Sequence, residues 1–540
     1  MKKLLSLLLC AALLTGCGNT APETTEADTP AASVPAAAQT GADYVSRFDH
    51  ETTITLSDDG ILTDAPDGGS DSVHVTHDII YYEDRDTYES GNPYGEGTDA
   101  DKHTTEEASA HTVVTITKPG AYRVGGKLSS GQIRVDLGED AYENPDAVVE
   151  LILHDADITC TVAPAILFLN TYECDGNWSA ETAKPDVDTS AAGASLILEG
   201  SNTVNGSYVA KIFKDQEGEK KLWKQDGAIY SYTSLNVFGP GSLELNAANE
   251  GLDTELHLTI NGGNITIHSD NDGINTNEDG VSVTTINGGH LSIAAGLGME
   301  GDGIDSNGYL VINGGTVIAA ANPAADAGMD SDLGSYIHGG TVIALGSTMD
   351  WAESDSMQAA MNLQFAGSQA PGSELTVVSL DGTEILSHIP SRSYTGAILS
   401  TPELHQGESY HVFVDGTQMA YTGNDVGRFH PGGMDGGFGG RGPGGMQPGQ
   451  MPEGVNPGEP PEGFDPGQMG TPPENGMPPE GILPPNLPDG GIPPEGDPPE
   501  RPQNGSGGRD PMQSGSSPET HTEFYMNDMV NSFSGVSAAA

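Results

Sequence analysis

A glycine doublet recurs through the middle of the chain. It closes Asn261-Gly262-Gly263, Asn287-Gly288-Gly289, Asn313-Gly314-Gly315 and His338-Gly339-Gly340, with Gly239-Pro240-Gly241 as a variant. The last glycines of the series are 22, 26, 26 and 25 residues apart. Period-two apolar patterns flank each doublet: Leu258 and Ile260 before the first, Ile265 and Ile267 after it. The same columns hold Ile286, Leu291 and Ile293, then Ile312, Val317 and Ala319, then Ile337, Val342 and Ala344. A repeat of this length cannot bury its apolar face alone, but stacked parallel coils bury it continuously. Leucine-rich repeats are excluded by the leucine spacing and propellers by the few strands per repeat. The expected fold is all-β, a right-handed parallel β-helix.

A second column keeps step with the doublets: Glu250-Gly251-Leu252-Asp253, Asp272-Gly273-Ile274-Asn275, Asp302-Gly303-Ile304-Asp305 and Ala327-Gly328-Met329-Asp330. If Leu252, Ile274, Ile304 and Met329 point inward, Asp253 and Glu255, Asn275 and Asn277, Asp305 and Asn307, and Asp330 and Asp332 share the outward face. Neighbouring coils lie ~4.8 Å apart. Two stacked carboxylates then repel by roughly 3 kcal/mol at an effective dielectric of about 20. No Lys or Arg stands between Lys224 and Arg392 to relieve this. Two readings follow. Either the polar side chains hydrogen-bond the turns along a solvated edge, or they hold calcium, which takes oxygens from carboxylates, amides and backbone carbonyls. The insertion Asn277-Glu278-Asp279-Gly280 offers further ligands, Asp279 among them.

The ends read differently. Lys2, Lys3 and the apolar run Leu4 to Leu14 lead into Leu14-Thr15-Gly16-Cys17, which resembles a bacterial lipobox. Residues 1–17 are therefore expected to be a lipoprotein signal with Cys17 as lipid attachment site, and residues 18–45 a flexible tether. The protein is expected outside the cytoplasm, on the bacterial cell surface, reaching the membrane only through that lipid. Cys160 and Cys174 then either close a disulfide or remain free thiols. The β-helix domain is expected over residues 46–425, with regular coils about 226–348 and a non-repeat β cap about 374–422. The Gly/Pro/Met/Glu-rich residues 431–518 are expected to be disordered. Residues 519–540 read as a tail, with a short helix around Phe524 to Phe533. Against 78 acidic side chains the chain has only 20 basic ones, a formal charge of −58. This balance excludes nucleic acid as a partner, since phosphate binding needs clustered Lys and Arg.

The order Gly120-Ala121-Tyr122, Gly131-Gln132-Ile133, Asp226-Gly227-Ala228-Ile229-Tyr230, the DG-containing units and the NGG turns resembles a bacterial family. These are the carbohydrate-binding domain-containing proteins typified by a clostridial cellulose- and pectin-binding protein, and the resemblance spans about residues 110–415. It implies a β-helix similar to pectate lyases, bound calcium, and a polysaccharide partner, cellulose or acidic plant glycan, without established catalysis. Carried onto this chain, the calcium ligands fall among Asp253, Asp272, Asn275, Asp302, Asp305 and Asp330. The chain departs from the pattern at Ala327 and in the polar loop Gly176 to Ala192.

Sugar rings stack on exposed aromatics, and Trp223, Tyr230, Tyr232, Tyr309, Tyr336 and Trp351 are the candidates. Lyase chemistry needs a basic residue to abstract the proton alpha to a uronate. It would have to borrow Lys211, Lys214, Lys220, Lys221 or Lys224, or a histidine such as His257, His268, His290 or His338, which read instead as surface strand residues. A polygalacturonase-like arrangement of Asn275, Asn277, Asp302, Asp305 and His338 lacks an acid at Asn277 and an Arg-x-Lys clamp. A structural stalk is the third class. A non-catalytic binding module, with no catalytic residue assigned, suits the residues best.

Overall fold

The computed structural model describes residues 44–66, 70–83, 97–210, 224–424 and 519–540. Each central repeat supplies three short strands. In one repeat these are Glu250–Thr254, Leu258–Ile260 and Asn264–Ser269. Each pairs in parallel with the corresponding strand of the next repeat: Ile274–Thr276, Val283–Ile286 and His290–Ala294. Pairing at every third strand continues to Asp330–Ser331, Gly334–Ile337 and Thr341–Gly346. The described residues are all-β apart from short helical turns such as Thr105–Ser109, and their parallel ladders fit a β-helix or solenoid-like fold.

The apolar columns fall in register. Ile260, Ile286, Ile312 and Ile337 stack, as do Ile265, Leu291, Val317 and Val342; all are buried in one continuous core. Complete burial of each such side chain contributes roughly 1.5–3 kcal/mol. The doublets turn the corners. Gly263, Gly289, Gly315 and Gly340 have φ of 99°, 89°, 81° and 87°, a left-handed conformation that side chains disfavour. Beside them Asn313 donates its amide to Asn287 Oδ1, and Asn287 to Asn261 Oδ1, both at 2.9 Å.

The last coil carries apolar residues on both faces. Val342 and Ala344 enter the first core, while Ile343 and Leu345 join a second core. Strand Tyr394–Ser400 pairs antiparallel with Thr341–Gly346 and begins the cap. Trp351 is only 7% exposed and, with Met349, plugs the end of the coil interior. This corrects its assignment as a sugar platform.

Residues 519–540 are neither tail nor helix. Phe524–Tyr525 pairs with Ser409–Val414, and Val530–Ala538 runs parallel to Ala360–Gln369. Phe524, Met526, Phe533 and Val536 are buried in the second core. The three- and four-residue spacing of Met526, Val530 and Phe533 mimics a helix, and a register shift near Gly535, at φ 63°, breaks the strand alternation. The signal segment with Cys17, nearly all of the tether, and the Gly/Pro-rich residues 431–518 lie outside the described residues.

Candidate functional site: the carboxylate columns

Strands Gly227–Ser231, Glu250–Thr254, Ile274–Thr276, Ile304–Ser306 and Asp330–Ser331 lie side by side in a nine-stranded sheet. Their register stacks Tyr230, Asp253, Asn275, Asp305 and Asp330. The first turn of the column is linked by Gly251 N–H donating to Asp272 C=O and Gly273 N–H to Asp302 C=O. The columns expected from the repeat are therefore present.

Their environment is not a solvated edge. Asp253 is 0% exposed, and Glu250, Asp272, Asn275 and Asn277 are also buried. Asp302, Asp305 and Asp330 are half-buried, and Asp279 and Asp332 exposed. Burial pushes the Asp253, Asp272 and Asp305 carboxyls well above the ordinary range, with neighbouring carboxylates adding to the shift. Asp302 is pushed to about 8, by burial first and then by Asp330.

The columns divide into two kinds of acid. Asp272 Oδ1 accepts from Asp302 N–H at 2.7 Å, and Asp302 Oδ1 from Ala327 N–H at 2.5 Å; these carboxylates tie one coil to the next. Near Lys224 the pattern changes. Asp226, Glu250 and Asp253 each bring a carboxylate oxygen to a site where all three lie within 4.8 Å of one another. Asn275 donates to Glu250 Oε1 at 3.1 Å and Asn277 to Asp253 Oδ1 at 2.5 Å. The second oxygens, Glu250 Oε2 and Asp253 Oδ2, are buried and accept from no N–H or hydroxyl of another residue, and the two carboxyls, both raised by burial, are close enough to share a proton where no cation separates them.

Lys224 Nζ lies 2.9 Å from Asp226 Oδ2, so one cation does reach the first coils. Burial alone would push its ammonium down, but Asp226, Glu250, Asp253 and Glu255 outweigh that and hold it well above the usual lysine value. Asp226 and Glu250 were absent from the expected ligands. The signal for them was their position before Gly227 and Gly251, the same DG-type placement as Asp272 and Asp302. Asn277 acts as an amide donor to Asp253, while Glu255 accepts from the Tyr230 hydroxyl.

Several other candidates change role. Tyr230 is 0% exposed and cannot stack on a sugar. Tyr232, half-buried, donates its hydroxyl to Lys224 C=O at 3.0 Å. Tyr309 and Tyr336 remain half-buried, with ring centroids 6.2 Å apart. His257 is no surface residue: it is buried, Val283 N–H donates to its Nδ1 at 3.0 Å, and its Nε2 lies 3.1 Å from Asp175 Oδ2. It thereby ties Asp175, the residue before the polar loop, to the coils. Cys160 and Cys174 are free thiols, Cys160 inside the first core and Cys174 donating to Asp188 C=O. Trp223 and the lysines from Lys211 to Lys221 lie outside the described residues.

The model of the family of carbohydrate-binding domain-containing proteins matches residues 110–381, just over half of the chain. The chain belongs to this family. A carbohydrate-binding domain-containing protein of Acetivibrio thermocellus is 32% identical over 155 residues, 28% of this chain and 44% of that relative. The chain thus spans less than half the length of the relative. A solved structure, described as a polysaccharide lyase-like protein from C. thermocellum in a gadolinium derivative, aligns at 20% identity. It covers 54% of this chain and 93% of its own, with a TM-score of 0.30.

Proposed function

We propose that this chain is a cell-surface lipoprotein that binds polysaccharide without cleaving it, using calcium held on a right-handed parallel β-helix. Family membership supports the carbohydrate partner. The observation that carries calcium is the pair of buried, unpartnered oxygens, Glu250 Oε2 and Asp253 Oδ2, beside Asp226. Leaving a buried acceptor unsatisfied costs on the order of 1–3 kcal/mol, more when charged. With all three ionised, these carboxylates outnumber the Lys224 ammonium, the cation beside them among the described residues, by two charges, which a divalent ion would balance. The donor set is hard oxygen, as calcium requires.

Asp226, Glu250 and Asp253 would hold such an ion in an enclosed place, where it braces adjacent coils. The half-buried Asp302, Asp305 and Asp330 are better placed to share an ion with a uronate. A bound calcium supplies the positive charge that an acidic glycan needs on so acidic a protein. Asn275 and Asn277 orient the carboxylates by holding one oxygen of Glu250 and one of Asp253.

Lys224 argues against lyase chemistry. Abstracting a proton requires a free amine, and the surrounding carboxylates keep this one charged. The test is retention of the protein on polygalacturonate and on cellulose, in calcium and in excess chelator. Calcium-dependent retention on polygalacturonate, with no new reducing ends or unsaturated product, is expected. Retention on neither polymer overturns the binding reading, and product formation overturns the non-catalytic one.

A further inference from the structure

Away from the buried acids, the outer surface carries an aromatic strip. Tyr309 begins one strand and Tyr336 lies in the next, Gly334–Ile337, with ring centroids 6.2 Å apart and planes tilted by 46°. His338 continues the strip, its ring 6.1 Å from Tyr336 and tilted by 39°. The register explains how the rings meet. Tyr309 pairs with Gly334, so the neighbouring position in the next coil has no side chain. The Tyr336 ring leans back over that gap: a Cβ on Gly334 would lie 3.3 Å from its Cε2 and hydroxyl oxygen. His338 is also fixed, because Met357 N–H donates to its Nδ1 at 3.2 Å. A neutral ring accepting at Nδ1 carries its proton on Nε2, leaving a donor beside the tyrosines.

We propose that Tyr309, Tyr336 and His338 form a binding subsite for a single neutral pyranose chain with equatorial hydroxyls. The inference rests on the polysaccharide-binding reading and names a substrate class for a second surface. Such sugars present flat C–H faces that pack on aromatic rings, while their hydroxyls seek donors such as His338 Nε2. The ring tilts decide between two neutral ligands. Planes turned by 46° and 39° cannot lie together on a flat crystalline face, but they follow a soluble chain whose residues twist. The rim decides against uronates. Glu353 and the exposed Asp355 flank the strip, and Asp355, Glu353 and Asp350 all act on the Tyr336 hydroxyl, which burial first of all pushes upward. No Lys or Arg lies between Lys224 and Arg392 to offset them, and Arg392 donates to the Ala295 and Gly296 carbonyls.

The test is affinity electrophoresis of the full chain in gels containing hydroxyethylcellulose or polygalacturonate, each with calcium and with chelator. Wild type should be retarded by hydroxyethylcellulose in both conditions. Y309A and Y336A should each weaken that affinity about ten-fold, with Y309F and Y336F close to wild type. All variants should keep the wild-type response to polygalacturonate and the wild-type melting temperature. Retardation by hydroxyethylcellulose that survives both alanine substitutions overturns the subsite. So does a wild type retarded only by polygalacturonate in calcium, which leaves the broader reading standing. A wild type retarded by neither polymer overturns both.

Discussion

Asn277 donates its side-chain amide to Asp253 Oδ1 at 2.5 Å, one coil away, while Asp253 Oδ2 remains buried and unpartnered. One oxygen of this carboxylate belongs to an amide ladder, and the other accepts from no N–H or hydroxyl. Hydrogen bonding along the column accounts for one oxygen of this side chain, and under the proposed function the other takes the ion.

Asp253→Asn should reveal that division. In calcium, wild type should melt well above its chelated form; saturation at a hundred times Kd corresponds to about 2.7 kcal/mol. The substitution should abolish most of this calcium-dependent increment. In chelator near pH 8 it should melt at or above wild type, because it removes a carboxyl whose burial-raised pKa costs stability at that pH. Calorimetry of both proteins with and without calcium checks the pair of outcomes.

The pH dependence follows from the raised carboxyls. Asp302 at about 8, with Asp253, Asp272 and Asp305 well above ordinary values, bind more protons folded than unfolded. Stability of the chelated protein should therefore be greatest below the unfolded carboxyl pKa of about 4, as far as these groups are concerned, and fall as pH rises toward 8 and beyond. Calcium, which requires the ionised acids, should flatten or reverse that slope. Denaturant midpoints at pH 5 and pH 8, in calcium and in chelator, measure it.

The repeat made the coils legible because each inward position is filled many times over. Ile260, Ile286, Ile312 and Ile337 announce one column whatever any single residue contributes. The acid register was legible for the same reason. Burial of Asp253 and Tyr230 was not, since outward residues on a strand are covered by groups from elsewhere in the chain, Asn277 and Lys224 among them. The role of residues 519–540 was hidden by distance: their partners Ala360–Gln369 lie across the Gly/Pro-rich stretch.

The thiols give a simple check on oxidation state. Burial pushes both Cys160 and Cys174 up to about 12, so little reactive thiolate exists near neutral pH. Mass spectrometry after alkylation should find no disulfide between them. Cys174, only half-buried, should label slowly in the native protein, and Cys160, inside the core, only in denaturant.

The C-terminal strands should behave as a clip that holds without a continuous chain. Tyr421 packs on Phe524 and Phe533 with ring centroids 5.0 and 4.8 Å apart, and Tyr421 and His521 pair across an antiparallel bridge. Both ends of the Gly/Pro-rich stretch are thus anchored at one place on the cap. A protease site inserted between residues 431 and 518 and then cut should leave residues 519–540 bound through size exclusion in native buffer and released in denaturant. Phe533→Ala should weaken that hold by about 3–5 kcal/mol, so that the cut fragment separates without denaturant. Release of the wild-type fragment in native buffer would show that covalent continuity, rather than the aromatic core, keeps the clip in place.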